Sequence, residues 1–332
     1  MKRNFDLICF FGYSPFFPRL ADLCQSLGFE YAFVFAPRQR DSIDSLTLPD
    51  HAQKICATSL KDNAYKDLKA ANKHSLGVSF GSPYIFSAED IATFQGGLLN
   101  SHGAPLPDFK GGGGFSWRIL QRDKRGASLM HFVTEEIDEG PCVFRKDFVF
   151  SDSERIPLDH EIRQLKEDED NLIPWLESVI AGENSLTPLG SEADSFNLGT
   201  YFPRLSSDFH GYIDWRMPVN DLKSFILAFS KPYSGASTFI KGKKTRIFDC
   251  FIREKCFMHP LTRGLVLSRS EDHITVACES GIIEIELGNL RFENEPCKIA
   301  KGDRFYTPES HLQEALNSRT FFNSEGVQIK LY

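Results

Sequence analysis

Leu7-Ile-Cys-Phe-Phe11, the segment from Phe17 to Gly28, and Tyr31-Ala-Phe-Val-Phe35 follow one another directly, and their order decides the fold. The first and third are short continuous apolar runs, the pattern of strands covered on both faces. The middle segment carries Leu20, Leu23, Cys24 and Leu27 at helical spacing and stops at Gly28. Leu76 to Phe80 repeats the buried-strand pattern, and Gly97 to Asn100 begins another strand. Between those two, Ser87-Ala-Glu-Asp90 opens a helix, with Ser87 as N-cap and Asp90 three positions on. Strands alternating with helices predict a Rossmann-like α/β domain with a mostly parallel sheet. Such sheets bind ligands at the carboxyl ends of their strands, where Asn100 and His102 fall.

Further along, Met130 to Val133 reads as buried strand, and Cys142 to Phe150 alternates like an edge or antiparallel strand. Pro157 starts an amphipathic helix through Leu158, Ile162, Leu165, Leu172, Leu176 and Val179, with a kink expected at Pro174. Residues 1–182 are thus expected to form the first domain. Residues 183–210, rich in Ser, Gly, Asn and Pro, read as a linker, and 211–332 as a second domain. There Asn220 is expected to cap a helix burying Leu222, Phe225, Ile226 and Phe229. Short strands follow at Ala236–Ile240, Thr245–Phe251, Gly264–Leu267, Ile274–Ala277 and Ile282–Leu287. Five short strands with close turns predict a small OB-like β-barrel. The last ~40 residues have no clear place in this scheme.

The formal charge of −7 over 332 residues gives no electrostatic footprint for nucleic acid. Residues 201–332 carry 18 Lys and Arg against 16 Asp and Glu, which leaves the first 200 residues at −9. Eight scattered cysteines with no CxxC pair read as reduced thiols. Asp6 interrupts the apolar N-terminus and Gly12 and Pro15 follow, so a buried strand is expected there rather than a signal peptide. No stretch reaches the ~20 apolar residues of a membrane span. A soluble, cytoplasmic protein is expected.

Chemistry concentrates at Leu98-Leu-Asn100-Ser-His102 and at Glu135-Glu-Ile-Asp138-Glu-Gly140. Asn100 and His102, two apart as a strand runs out, point the same way. A donating amide, an imidazole titrating near neutrality and an orienting carboxylate suit acyl transfer. On spacing alone, a hydrogen-bonded structural pair at Asn100 and His102 and a turn-forming Asp138 explain the same residues. Gly111 to Gly114 reads as a flexible loop or a phosphate cradle; no GK[ST] follows it.

Together these segments resemble the folate-dependent formyltransferases, including the sugar N-formyltransferases and methionyl-tRNA formyltransferases. That family has N-x-H, then a P-S-L-L-P-x-x-R-G type loop, and an Asp in a D-x-G turn about 36 positions after the His. Here His102 and Asp138 stand 36 positions apart, and Gly103-Ala-Pro-Leu-Pro-Asp-Phe-Lys-Gly111 lies in register with the loop. Lys110 stands where Arg is usual, and Gly103, Ala104 and Pro105 depart from the pattern. Ile213-Asp-Trp-Arg-Met-Pro218 and Lys231 to Phe239 resemble the opening of the carboxy-terminal barrel of those enzymes.

The resemblance implies 10-formyltetrahydrofolate as co-substrate and a primary amine as acceptor, with Asn100, His102 and Asp138 catalytic. It implies a pterin slot between Ser82, Tyr84, Ile85 and Phe86 on one side and Val133, Thr134 and Glu135 on the other. Pro107, Lys110, Gly111, Phe115 and Trp117 fall on the acceptor side, and no metal is implied. Phe115-Ser-Trp117 resembles the enzymes that act on nucleotide-linked amino sugars for surface polysaccharide such as lipopolysaccharide. Initiator tRNA is the alternative acceptor, through Lys241, Lys243, Lys244 and Arg246, and formyltetrahydrofolate hydrolysis is a third reading. Which sugar, which nucleotide, the role of the barrel and whether two copies pair stay open at this level.

Overall fold

The computed structural model describes residues 5–70, 74–190, 199–323 and 326–331. Its first layer is a seven-stranded sheet. The elements run β1 (Leu7–Gly12), α1 (Phe17–Leu27), β2 (Glu30–Phe35), α2 (Arg40–Asp44), β3 (Gln53–Cys56), α3 (Asn63–Ala70), β4 (Ser75–Phe80), α4 (Ala88–Thr93) and β5 (Leu98–His102). A two-residue β6 (Lys110–Gly111), α5 (Gly114–Gln121), β7 (Arg125–Phe132), β8 (Cys142–Val149), α6 (Pro157–Glu167) and α7 (Ile173–Ile180) complete this half. The sheet order is β3-β2-β1-β4-β5-β7-β8. The first five strands are parallel, while β7 and β8 run antiparallel to their neighbours.

The unbroken apolar character of β1 has a direct cause. Ile8 and Phe10 pack with Phe17, Leu20 and Leu176 on one side of the sheet. Leu7, Cys9 and Phe11 pack with Tyr65, Phe86 and Phe94 on the other. A strand with both faces covered has no position left for a polar side chain. Gly28 ends α1 in the left-handed conformation at φ 71°, and Ser87 caps α4 by accepting from Asp90 N–H. The long helix expected from Pro157 divides into α6 and α7 around a five-residue π turn, Asp168–Leu172. Pro174 has no N–H to continue the regular ladder, and the wider turn accommodates it.

The remaining elements are β9 (Tyr201–Phe202), α8 (Ser207–His210), α9 (Val219–Ala228), β10 (Ala236–Ile240), β11 (Lys243–Ile247), β12 (Phe251–Glu254), β13 (Val266–Arg269), β14 (His273–Cys278), β15 (Gly281–Glu286), β16 (Leu290–Phe292), β17 (Phe305–Tyr306), α10 (Glu309–Asn317), β18 (Ser318–Asn323) and β19 (Gly326–Leu331). Two antiparallel four-stranded sheets, β16-β11-β10-β17 and β12-β15-β14-β13, share a core around Ile226, Ile240, Ile247, Ile274 and Ile285. Two expectations are corrected here. Thr245–Phe251 is not one strand: the chain leaves one sheet after Ile247 and enters the other at Phe251, with Cys250 buried at the corner. Asn220 is not the cap of α9, because Pro218 occupies the N-cap and Asn220 lies within the first turn. The C-terminal residues form α10 and the β18–β19 hairpin.

Of the expected linker, residues 191–198 lie outside the described residues. Beyond them the chain is tightly engaged. β9 pairs in parallel with β6, and Gly112 N–H donates to Phe202 O at 2.9 Å. Trp117 Nε1–H donates to Pro203 O at 2.7 Å.

Candidate active site

Strand register brings three polar side chains into one row at the carboxyl end of the sheet. Ser79 on β4, Asn100 on β5 and His131 on β7 are direct partners across adjacent strands, so they share a face. Ser79 Oγ donates to Asn100 Oδ1 at 2.9 Å, which turns the amide nitrogen the other way. Asn100 Nδ2 lies 3.3 Å from His131 Nε2, and His131 Nδ1 lies 2.8 Å from Phe132 O. A carbonyl oxygen only accepts, so Nδ1 of His131 carries the proton and its Nε2 receives the Asn100 amide. One Nδ2 hydrogen of Asn100 then remains for a ligand.

His102 ends the same strand on the same face. Its Nε2 lies 2.7 Å from Phe109 O, so that nitrogen is the donor and Nδ1 is the free base. Nδ1 stands 3.6 Å from Asp138 Oδ2. Burial and the nearby His131 and Arg118 lower the His102 pKa, and Asp138 and the Phe109 carbonyl oppose them only in part. The imidazole is therefore neutral near pH 7. A proton that it accepts lands on Nδ1, beside the carboxylate.

Asp138 is held in place by backbone geometry. Its φ is 56°, a left-handed conformation that Asp tolerates better than most residues. Gly111 N–H donates to Oδ2 at 2.8 Å, and Oδ1 lies 3.4 Å from His131 Nε2. Burial alone would raise its pKa, but His102, charged in the acid range where Asp138 titrates, the contact with His131 and the Gly111 amide outweigh it and hold the carboxyl at about 2. Two glycines make the arrangement feasible. A Cβ on Gly140 would sit 1.7 Å from Phe132 O, and one on Gly111, at φ 89°, would sit 2.3 Å from Phe202 O.

Two cavities meet at His102. One, of about 250 Å³, has Asn100, His131 and Asp138 among its lining. Its walls include Ser82, Tyr84, Ile85 and Phe86 on one side and Val133, Thr134 and Glu135 on the other. Tyr84 and Phe86 belong to the core as well, and Tyr84 Oη–H is anchored on Ala57 O at 2.6 Å. The second cavity, of about 320 Å³, is lined by Gly111 and Phe115 with residues of the C-terminal half such as Phe229 and Tyr233. Pro107, Lys110 and Trp117, read from sequence as acceptor-side residues, line neither cavity. Pro107 O accepts from Thr200 N–H, Lys110 Nζ pairs with Glu139 at 2.8 Å, and Trp117 anchors the segment after Phe202. All three hold the wall in place from behind.

Ser79 and His131 went unread in the sequence. His131 was visible only as a polar residue inside the apolar run from Met130 to Val133, and its partner becomes evident once β5 and β7 are set in register. Among the described residues no cluster of His, Cys, Asp and Glu is arranged to hold a metal ion, and no helix is long and apolar enough to cross a membrane.

A model of the formyl transferase domain matches residues 39–166, and a model of the formyl transferase C-terminal domain matches residues 207–305. The chain belongs to the formyl transferase family. Solved structures of similar fold include WlaRD, a sugar 3N-formyl transferase crystallised with dTDP and 5-N-formyl-THF. That match has a TM-score of 0.58 and 14% identity, over 88% of this chain and 99% of the other. An N-formyltransferase from Helicobacter canadensis, in complex with folinic acid and dTDP-3-aminofucose, gives a TM-score of 0.58 and 15% identity over 85% and 98%. A variant of HypX from Aquifex aeolicus gives 0.54 and 16% over 88% of this chain. The chain spans only 45% of that HypX chain.

Proposed function

We propose that this family member transfers a formyl group from 10-formyltetrahydrofolate to the primary amine of a nucleotide-linked amino sugar. The observation that carries the reading is the meeting of Asn100, His102 and Asp138 where two cavities join, one for each reactant. The 250 Å³ cavity suits a flat, partly apolar ring: Ile85 and Ile137 border it and remain exposed, at 40% and 43%. The folate, when bound, supplies the formyl group. Asn100 directs its remaining Nδ2 hydrogen at the oxygen that gains charge, and one such donor is typically worth ~3 kcal/mol of barrier. His102 Nδ1 takes the proton that the attacking amine sheds and returns it to the folate nitrogen as that nitrogen's bond to the formyl carbon breaks. Asp138 stabilises the resulting imidazolium, and the Phe109 carbonyl keeps the ring oriented.

The choice of acceptor rests on charge and on pairing. The basic hairpin that would meet tRNA phosphates is already engaged: Lys241 pairs with Asp303, Lys244 with Glu293, and Arg246 with both Asp208 and Glu293. Binding a phosphate backbone would require breaking those pairs, in a protein whose net charge is −7. The relatives with bound dTDP or dTDP-3-aminofucose point toward a sugar nucleotide. Incubation with 10-formyltetrahydrofolate and either nucleotide-linked amino sugars or charged initiator tRNA, with products read by mass spectrometry, tests this. Formylated amino sugar is the expected product. Formylated tRNA alone, or formate released without any amine, would replace the reading with one of its rivals.

A further inference from the structure

The glycine run from Gly111 to Gly114 is a seat for another stretch of chain. A Cβ on Gly111 would meet Phe202 O at 2.3 Å, one on Gly112 would meet Arg204 Cβ at 3.0 Å, and one on Gly113 would meet Leu205 N at 3.4 Å. Thr200 to Ser207 forms a strap across this seat, and the strap walls both cavities in order along its length. Tyr201 lines the cavity of about 250 Å³, Leu205 and Ser207 line the one of about 320 Å³, and Arg204 lies on both.

The two ends of the strap are held by different parts of the chain. Its first half bonds to the loops around β6 and to α5. Lys110 N–H donates to Thr200 O and Gly112 N–H to Phe202 O, both at 2.9 Å, and the Trp117 indole donates to Pro203 O. The second half is gripped from the C-terminal segment, which lies beyond both matched family domains. Arg204 forms an antiparallel bridge with the buried Thr320 of β18. His210 adds a second grip with both ring nitrogens. Its Nδ1 accepts from Ser206 N–H at 2.9 Å, so Nε2 carries the proton and donates to Ser318 O at 3.2 Å. Ser318 follows α10 directly, and α10 is docked through His311, whose ring stacks on Tyr212 and on Phe239 of β10 with centroids 4.5 and 5.3 Å away. Arg246 of β11 holds the neighbouring Asp208 at 2.8 Å.

We propose that His210 is a positioning residue for formyl transfer, tying the second half of the strap to the C-terminal segment and so fixing the wall made by Leu205 and Ser207. The inference rests on the acceptor occupying that cavity, and hydrogen exchange on the full-length protein reads the tie without turnover. In His210→Ala the amides of Arg204, Leu205 and Ser207 should exchange about tenfold faster, the scale of two lost neutral hydrogen bonds. The amides of Lys110, Gly112 and Thr200, which bond at the other end, should exchange as in the wild type. Two conservative variants separate the tie from the local turn. His210→Asn puts an acceptor where Nδ1 stood and keeps the Ser206 contact alone, whereas His210→Gln reaches Ser318 O and keeps the tie alone. The Gln variant should return exchange to within about threefold of the wild type, and the Asn variant should remain as fast as Ala.

In steady-state assays with a nucleotide-linked amino sugar, His210→Ala should raise the acceptor KM about tenfold and leave the folate KM within about twofold, with most of the loss recovered by Gln. Unchanged exchange in His210→Ala, an unchanged acceptor KM, a larger rise in the folate KM, or recovery by Asn equal to that by Gln would overturn the proposal. Should His210→Ala fail to fold, the comparison of Asn with Gln decides it. A wild-type protein that formylates no amino sugar would instead refute the acceptor reading, and the exchange measurements would still decide whether His210 holds the strap.

Discussion

His102→Ala should lower kcat/KM for formyl transfer about 10³-fold, while its melting temperature falls by only roughly 2–3 °C. The two effects separate because the side chain makes one bond to the protein, Nε2–H to Phe109 O, and its other nitrogen faces the ligand cavity and Asp138. One lost hydrogen bond costs about 1 kcal/mol of stability. The wild-type pH profile supplies a second signature. A base works only when neutral, so kcat/KM falls as pH drops through the His102 pKa. Burial lowers that pKa, which places the fall below the ordinary imidazole range near 6.5. The variant should lack this acid limb. A variant that keeps both near-normal turnover and the limb would remove His102 from the chemistry.

Gly140→Ala should cost about 3 kcal/mol or more and remove most activity with it. The added Cβ would meet Phe132 O at 1.7 Å and the Phe132 carbonyl carbon at 2.7 Å. Both are backbone atoms of β7, so no side-chain rotation relieves the overlap. The turn must open, and Asp138 two residues earlier moves with it, losing the Gly111 amide and its place beside both histidines. Chemical denaturation together with steady-state kinetics checks both halves of this expectation. Gly190→Ala is the control: nothing lies within 4 Å of the added methyl group, and stability and rate should be unchanged. A Gly140 variant as stable as the wild type would mean that the turn is not as closed as described.

Much of the first domain was legible because its signals are local. Buried runs such as Leu7 to Phe11 report a covered sheet directly, and Gly28 and Ser87 mark helix ends through their own backbone chemistry. That Asn100 and His102 share a face followed from strand periodicity, and their role from the family resemblance. Asp138 was legible only through the family's spacing, because nothing local distinguishes it from a turn former. What escaped depends on register and packing at a distance. His131 meets Asn100 because β7 pairs with β5 across 31 positions of chain. Arg118 reads as an ordinary helical cation until the fold buries it against three carbonyls. The sheet change after Ile247 was hidden because the run to Phe251 has no proline or glycine to mark the corner. Lys110, in the family's motif position, pairs with Glu139 and lines neither of the two cavities.

Co-crystallisation with 5-formyltetrahydrofolate and a nucleotide bears most directly on the whole account. The pterin should lie between Tyr84 to Phe86 and Val133 to Glu135, with the formyl oxygen within about 3.2 Å of Asn100 Nδ2 and the nucleotide in the cavity lined by Phe115 and Tyr233. A folate bound elsewhere, or a formyl group out of reach of both Asn100 and His102, would contradict it.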